Sequence, residues 1–580
     1  MLTYHLDPFL GARSIDEYGT VAWQYDDNGR PISAQSHKGY TCYYEYDAVG
    51  RRHQMIDPDA RVSYFNYDDA GQLTQLLDGF SGETTWEYEP IGVPKKQVLP
   101  NTMVSYYAYD DVGQLTEVEH RKSDLTLLVS AEQSYDAASN IVKIVREDDG
   151  YTYYNYDGLN QLTEEIQKNS GGTQLYGFVW SYDGAGNRAH QDRDGALIYY
   201  SYDQANQLLR SITGAAWTYY QYDDNGNTIA EQITSGTTYY HYTPENRLSK
   251  VLSDIGGSVP NYFYYDGDQR RIITEDSGGR TYFLYDGEKV AVEQDKTGTT
   301  QAAYVNRGPS IYHPLIYMDR SGTKSYHLFN HLGTTLALAS SAQALTDTYR
   351  WNAWGAELAA TGSTTNPFAW VGKLGYYKDA DRPLLSVGLR TYGPAWSRFL
   401  QRDPEGIAPY ASSLLAWQYA YAAGQPLGLI DVTGQLSTGV LRGVGAVLGG
   451  SGYGAALCLA GPVGAEAAHA LEWLGELGKL GRLENDQRDC FSTDRPQGQC
   501  PGAWSITVTE TIPKGKERTF QCWHDPVDCE KAHETPKKKY RVCVRYARGD
   551  NWGPWHCTNL KWDEREKRSE KVTVNKGGGD

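Results

Sequence analysis

Residues 64–74 read YFNYDDAGQLT. Tyr64 to Tyr67 alternates aromatic and polar side chains, the period-two pattern of a strand with one face covered. Asp68 to Gly71 supplies a turn. Asp accepts backbone hydrogen bonds where the chain reverses, and Gly tolerates the positive φ that closes the reversal. Gln72, Leu73 and Thr74 begin a return strand. The stretch is therefore a β-hairpin, and it recurs. Tyr-Asp or a close variant stands at Tyr25, Tyr46, Tyr67, Tyr88, Tyr109, Tyr135, Tyr156, Tyr182, Tyr202, Tyr222, Tyr242, Tyr265 and Tyr285. The steps are 20 to 26 residues, and most are 20 or 21. A period this steady signals an array. One hairpin is marginal in water, so each must bury its aromatic face against its neighbours. The spacing predicts about 26 strands before the pattern changes near residue 326, joined in one sheet that twists or curls. Residues 18–435 are expected to be one continuous β array with few helices.

Composition agrees. Aromatic residues make up 13% of the 580, and 48 are Tyr, a residue suited to a half-buried pleated surface. That much aromatic surface excludes a disordered chain. The net charge of −18 is uneven. From Asn485 onward, 18 Lys and Arg stand against 15 Asp and Glu, so the acidic excess lies in the body. An acidic body and a weakly basic tail attract each other. The first residues, MLTYHLDPFLGARS, lack the charged and apolar regions of a secretory signal. Because the repeat is already running by Tyr18, this reads as export by another route or as a piece of a longer chain.

Past Tyr326 the spacing changes. Tyr326-His-Leu-Phe-Asn-His-Leu-Gly333 and Trp351-Asn-Ala-Trp-Gly355 are followed by the stretch 366–435, which holds Ser397-Arg-Phe-Leu-Gln-Arg-Asp-Pro-Glu-Gly406 and Gln425-Pro-Leu-Gly-Leu-Ile-Asp-Val-Thr-Gly-Gln435. With the Tyr-Asp-x-x-Gly-Arg/Gln-Leu pattern at Tyr46 to Arg51, Tyr109 to Leu115 and Tyr182 to Arg188, these motifs resemble the Rhs and YD-repeat family, which includes the cocoon subunit of Tc toxins. The resemblance covers Tyr18 to Gln435. It implies a spiral sheet forming a hollow shell around a C-terminal payload, closed by a core domain that cuts the payload free just after its terminal Leu. Three positions depart from the family's closing motif: Gln425 stands for Asn, Val432 for Pro and Gln435 for Leu. Leu436 follows, so the cut is expected on either side of it. The resemblance also implies a secretion machine and an immunity protein as partners, with production in a bacterial cytoplasm and delivery outside it.

The residues themselves allow this chemistry. Paired carboxylates hydrolyse a peptide when one is ionised to activate water and the other stays protonated to polarise the carbonyl. Asp403 and Asp431 are the two candidates, and the run from Ile407 to Ile430 between them carries no acid. Arg402 is the residue expected to hold a carboxylate or an oxyanion, because a guanidinium can contact either in bidentate fashion. The bland reading of Asp-Pro and Asp-Val-Thr-Gly is turn chemistry. His327 and His331 stand at i, i+4, a metal spacing if helical, but the hairpin context favours packing. No metal or cofactor site is expected.

After Gln435 the composition breaks. Residues 443–465 are uncharged, and eight of the 23 are Gly, which reads as a linker rather than a membrane span. Leu471, Leu474, Leu477 and Leu480 suggest an amphipathic helix from Ala465 to Leu483. Residues 485–580 read as a small Cys-rich α+β domain with Cys490, Cys500, Cys522, Cys529, Cys543 and Cys557, an even count without a Cys-x-x-Cys pair, which suggests a disulfide framework of unread connectivity, while Cys522-Trp-His524 and His556-Cys557 keep zinc open. His524-Asp525, His533-Glu534, His556 and the basic strip Lys537 to Arg541 leave a nuclease open, and nucleic acid would be a partner only in that case. The domains therefore read as a repeat array (1–325), a core (326–435), a linker with a helix (436–484) and an effector (485–580). The leading reading is a toxin shell that packages this C-terminal effector and releases it by aspartate-dependent self-cleavage. The competing one is a surface adhesion protein that binds sugars or proteins and never cuts; it needs neither Asp403 nor Asp431.

Overall fold

The computed structural model describes side chains over residues 21–256, 258–310, 312–404 and 418–435, and elsewhere only the backbone of further strands. Two compact units divide the chain, residues 1–456 and 457–580.

The first unit is built on a 34-stranded antiparallel sheet running from Thr3–Asp7 to Glu357–Thr361. Each strand pairs with its neighbours in sequence. The array runs past residue 325, where the sequence placed its boundary. The strands Thr323–Phe329 to Glu357–Thr361 continue the same meander, because Asn330 and Asn352 build the turn that Asp builds elsewhere. The described helices are short 3-10 turns such as Gly372–Leu374.

Most of the Tyr-Asp turns share one construction. Asp47 Oδ1 accepts the amides of Val49 at 3.1 Å and Arg51 at 2.8 Å, and the Asp47 amide donates to the Arg51 carbonyl at 2.9 Å. Gly50 sits at φ 89°, the left-handed conformation that ends the turn. The register slips between Glu45 and Tyr46, so the loop closes with a bulge.

Spacing in the sequence encodes the turn at the hairpins' other end. Where Tyr-Asp recurs every 21 residues, five residues separate the last paired positions, as between Ile56 and Val62. Where it recurs every 20, two do, as between Arg193 and Ala196. The 26-residue steps contain the nine-residue strands Leu127–Tyr135 and Gln174–Tyr182.

The Tyr of Tyr-Asp does more than fill a core. Its hydroxyl donates to a backbone carbonyl in the return strand of the preceding hairpin: Tyr46 to Pro31 at 2.7 Å, Tyr67 to Arg52 at 2.9 Å, Tyr156 to Ile141 at 2.8 Å, Tyr285 to Arg271 at 2.7 Å. These dipeptides thus couple two jobs: Asp builds a turn and Tyr ties that turn to the hairpin before it. Two residues earlier, Tyr44, Phe65, Trp86, Tyr154, Trp180 and Tyr240 are buried; three residues earlier, Tyr43, Tyr64, Tyr153 and Tyr239 are exposed on the opposite face. Replacing Tyr67 by Phe removes the tie and leaves the ring. We expect a loss of about 1 kcal/mol, the net worth of a hydrogen bond, read as a lower urea midpoint at unchanged slope.

The sheet coils until it meets itself. Arg52 pairs with Asp286 at 2.6 Å, Tyr317 donates to Asp78 at 2.7 Å, Asp59 accepts from Thr300 at 2.9 Å, and Gln343 donates to the Asn101 carbonyl at 2.6 Å. The partners are 234 to 242 residues apart. At the 20–21-residue period that is roughly eleven or twelve hairpins per turn of a spiral. The Arg52–Asp286 pair is buried, so losing either partner strands a charge. The curling expected of so long a sheet is this spiral.

Residues 366–404 and 418–435 pack against the repeats from about 160 to 290. Arg188 donates to Ser397 at 2.8 Å, Arg398 to the Asn206 carbonyl at 2.7 Å, and Tyr419 to the Gly226 carbonyl at 2.7 Å. Trp180, Trp354, Trp370, Tyr392, Phe399 and Tyr421 join repeats and core in one aromatic cluster. His327 and His331 are both buried near a hairpin turn, and His327 Nε2 lies 3.1 Å from Asn366 Oδ1.

The glycine-rich stretch 443–465, the helix expected over Ala465–Leu483, Cys490, Cys500 and the Lys537–Lys539 strip lie outside the described residues. In the second unit the backbone register sets Cys522 opposite Cys529 and Cys543 opposite Cys557. Directly opposed positions on paired strands suit a disulfide. Peptide mapping of oxidised protein is expected to recover those two pairs; free thiols at all four positions would count against the framework.

Candidate functional site

A small four-stranded sheet, Tyr377–Lys378, Leu385–Val387, Arg390–Gly393 and Arg398–Phe399, carries the site. Val387 pairs with Arg390, so Gly388 and Leu389 are the two residues of a tight hairpin turn. This turn grips the chain at 433–435. Leu389 donates to the Thr433 carbonyl at 2.9 Å. Gly388 lies at φ 49° and Gly434 at φ 71°. A Cβ on Gly388 would overlap the Thr433 carbonyl, and one on Gly434 would overlap the Val387 carbonyl. Both glycines are required by close approach of two backbones as well as by φ. Gly388→Ala is expected to cost about 1–3 kcal/mol from the strained φ alone and to release residues 433–435. A lowered urea midpoint together with a faster-digested 430–436 segment in limited proteolysis is the readout.

Arg390 reaches from the turn into the interior, where it is 2% exposed. Its guanidinium lies 3.6 Å from the Phe399 ring centroid and is hydrogen-bonded around its edge. Nη2 donates to Asp431 Oδ2 at 2.8 Å and lies 3.1 Å from Asp403 Oδ2. Nη1 donates to the Gln418 carbonyl at 3.1 Å, and Nε donates to the Gly434 carbonyl. One nitrogen therefore bridges both carboxylates, which brings Asp403 and Asp431 into one cluster across 28 residues of chain. Asp403 is 6% exposed and Asp431 fully buried. The Asp403 amide donates to the Gln418 carbonyl at 3.0 Å, fixing that turn. Arg402, the cation expected to do this work, has an exposed side chain. The cation in the cluster is Arg390.

Asp431 has further contacts. Its Oδ1 accepts the Gln435 amide at 3.0 Å, and its backbone carbonyl accepts the Tyr376 hydroxyl. The first contact is the i, i+4 clamp seen at Asp47, Asp68, Asp110 and Asp157 in the repeat turns. What differs here is the setting. Burial pushes the Asp431 carboxyl above its usual range and Asp403 pushes the same way, against the pull of Arg390 and the Gln435 amide. Buried beside a second carboxylate, Asp431 is the member that tends to hold a proton. The peptide between Gly434 and Gln435 is held at both ends of its dipole, carbonyl by Arg390 and amide by Asp431. That arrangement can polarise a carbonyl and deliver a proton to a leaving nitrogen.

The family model for the Teneurin YD-shell matches residues 107–416. The chain belongs to the Teneurin YD-shell family. No curated protein matches the chain. Among solved structures, the Photorhabdus luminescens Tc holotoxin pore, carrying a substituted TccC3, is 17% identical with a TM-score of 0.59, over 73% of this chain and 24% of that one. The crystal structure of TcdB2-TccC3-TEV is 16% identical with a TM-score of 0.40, over 75% of this chain and 28% of that one. The chain thus spans about a quarter of the length of these structures, and the likeness is one of fold. It is a YD-repeat β shell. Among the described residues no helix is long and apolar enough to cross a membrane.

Proposed function

We propose that this YD-shell chain packages its own C-terminal region and cuts it free by hydrolysis within Gly434–Leu436. Asp403, Asp431 and Arg390 do the work. The single observation that carries the reading is the convergence of two buried carboxylates and one buried guanidinium on the Gly434–Gln435 peptide. Ionised Asp403 activates a water, whose oxygen bonds to the carbonyl carbon. Arg390 stabilises the oxygen that gains charge. Protonated Asp431 gives its proton to the nitrogen as the C–N bond breaks, leaving a carboxylate on the shell and an amine on the payload. Arg402 is outside this scheme. The payload acts after delivery from the producing bacterium, with a secretion machine and a neutralising immunity protein as partners.

Mass spectrometry of freshly purified full-length chain tests this. The expected result is two masses, one starting at Gln435 or Leu436 and running to Asp580. A single intact mass would falsify the cleavage step. The adhesion reading gains no particular observation from the site.

A further inference from the structure

The chain pairs with itself across the Gly434–Gln435 peptide. The backbone of Val440–Arg442 lies antiparallel beside Leu429–Asp431, in a two-stranded sheet of their own. Leu429 stands opposite Arg442, Ile430 opposite Leu441, and Asp431 opposite Val440. Gly434 and Gln435 are therefore among the eight residues, 432–439, that join the two strands. Leu429–Asp431 is fixed from its other edge. The Leu429 amide donates to the Gln425 carbonyl at 3.0 Å, and the Asp431 carbonyl accepts the Tyr376 hydroxyl. Backbone groups alternate between the two edges of a strand. Leu429 and Asp431 turn theirs to the core, so Ile430 turns its amide and carbonyl toward Leu441. Ile430 is 1% exposed, and a buried amide and carbonyl need partners. Leu441 is the partner that the register supplies. Leu429 and Ile430 also belong to the apolar cluster that joins repeats and core. None of these anchors lies beyond Gln435, so a cut within Gly434–Leu436 leaves the edge of Leu429–Asp431 formed. An edge of this kind takes an extended peptide through main-chain hydrogen bonds.

We propose that Leu429–Asp431 is a docking strand whose occupant is the main chain of Val440–Arg442, and that this pair outlasts the self-cleavage on whose reading the proposal rests. Cutting and leaving are then separate steps: the severed C-terminal region comes off this strand only when Ile430 and Leu441 part. Before the cut, the pair brings the ends of 432–439 together and presents Gly434–Gln435 to Asp403, Asp431 and Arg390. After it, the backbone bonds between the strands are unchanged. Main-chain pairing asks for an extended stretch downstream of the cut and for no particular side chain, which suits a C-terminal region of any sequence. So short a ladder is a weak hold, and the severed region stays releasable.

Amide hydrogen exchange on full-length protein is the test, read by mass spectrometry on peptides covering 426–433 and 438–444. It is run on cut wild type and on the uncut chain held whole by Asp403→Asn. Both forms are expected to protect both peptides alike. Leu441→Pro removes the amide that faces Ile430, whereas Arg442→Pro removes one that faces away. The first is expected to speed exchange in 426–433 at least about tenfold; the second, like Leu441→Ala, should leave it unchanged. Protection of 438–444 in the uncut chain that is gone in cut wild type would show that the pair opens on cutting. A fragment that still co-purifies would then be held by enclosure alone, and the docking after the cut is wrong; that comparison needs no proline variant to fold. Equal effects of Leu441→Pro and Arg442→Pro would remove the docking strand. A wild-type chain that stays whole sinks the cleavage reading and the step after it, while the proline contrast on that whole chain still decides the docking strand.

Discussion

Asp403→Asn and Asp431→Asn are each expected to give a folded, uncut chain of 580 residues, where wild type gives a shell fragment and a C-terminal fragment of about 145 residues. The expected loss of rate is at least about 10³-fold, within the range for removing a positioned acid or base. The two variants fail differently. Asp403→Asn removes the group that accepts a proton from water. Asp431→Asn removes the group that delivers one, and an amide cannot replace it. Stability separates a catalytic role from a turn role. Burial raises the Asp431 pKa. A carboxyl whose folded pKa lies above its unfolded value stabilises the fold at pH below the unfolded value, and that contribution is lost as pH rises through the folded one. Above the folded value an ionised Asp431 is a burden, one that Asn, neutral at every pH, does not carry. Asp431→Asn should melt no lower than wild type at pH 7, with less gain on acidification. Cleavage persisting in both variants, with proteases excluded, removes the two-carboxylate scheme.

Much of this was legible in the sequence because each repeat is local. Tyr64 to Thr74 contains its own strand pattern, turn former and glycine, and thirteen copies average out the noise that spoils single-segment readings. The spacing even carried the turn class, since a two-residue turn and a five-residue one change the period. Two things were hidden. Residues 326–361 keep the meander but build turns on Asn330 and Asn352, so the Tyr-Asp pattern ends before the sheet does. The cation at the site was missed because adjacency in sequence is a poor guide there. Arg402 adjoins Asp403, but neighbouring residues on an extended chain point to opposite sides, and burying Asp403 exposes Arg402. Arg390 stands outside both closing motifs. The available signal was Gly388, two residues earlier: a glycine in Ser-Val-Gly-Leu-Arg marks a tight turn, and a tight turn can aim an Arg inward. The tyrosine ties were invisible for another reason, since a hydroxyl reaching a carbonyl 14 or 15 residues back requires the sheet to exist first.

Arg390→Met is expected to be the most destabilising single change in the core, by about 3–5 kcal/mol, because it leaves two buried carboxylates facing each other without their cation. It also frees the carbonyls of Gln418 and Gly434, so residues 418 and 434 lose their common anchor. Loss of cleavage in this variant proves little by itself. The decisive measurement is a cycle. If the damage is electrostatic, adding Asp403→Asn and Asp431→Asn to Arg390→Met should restore most of the lost stability, because the triple variant buries no net charge and Met fills the space of the Arg stem. If the damage is lost packing against Phe399, the triple variant stays as unstable as the single one. Arg390→Lys separates position from charge. A lysine keeps one cation near the carboxylates but has no fork to hold Asp431, Asp403, Gln418 and Gly434 together. We expect it to recover part of the stability and little of the cleavage, with the midpoint in urea and the fragment yield moving independently. Full cleavage in Arg390→Lys would show that the site needs a charge there and nothing of the guanidinium's geometry.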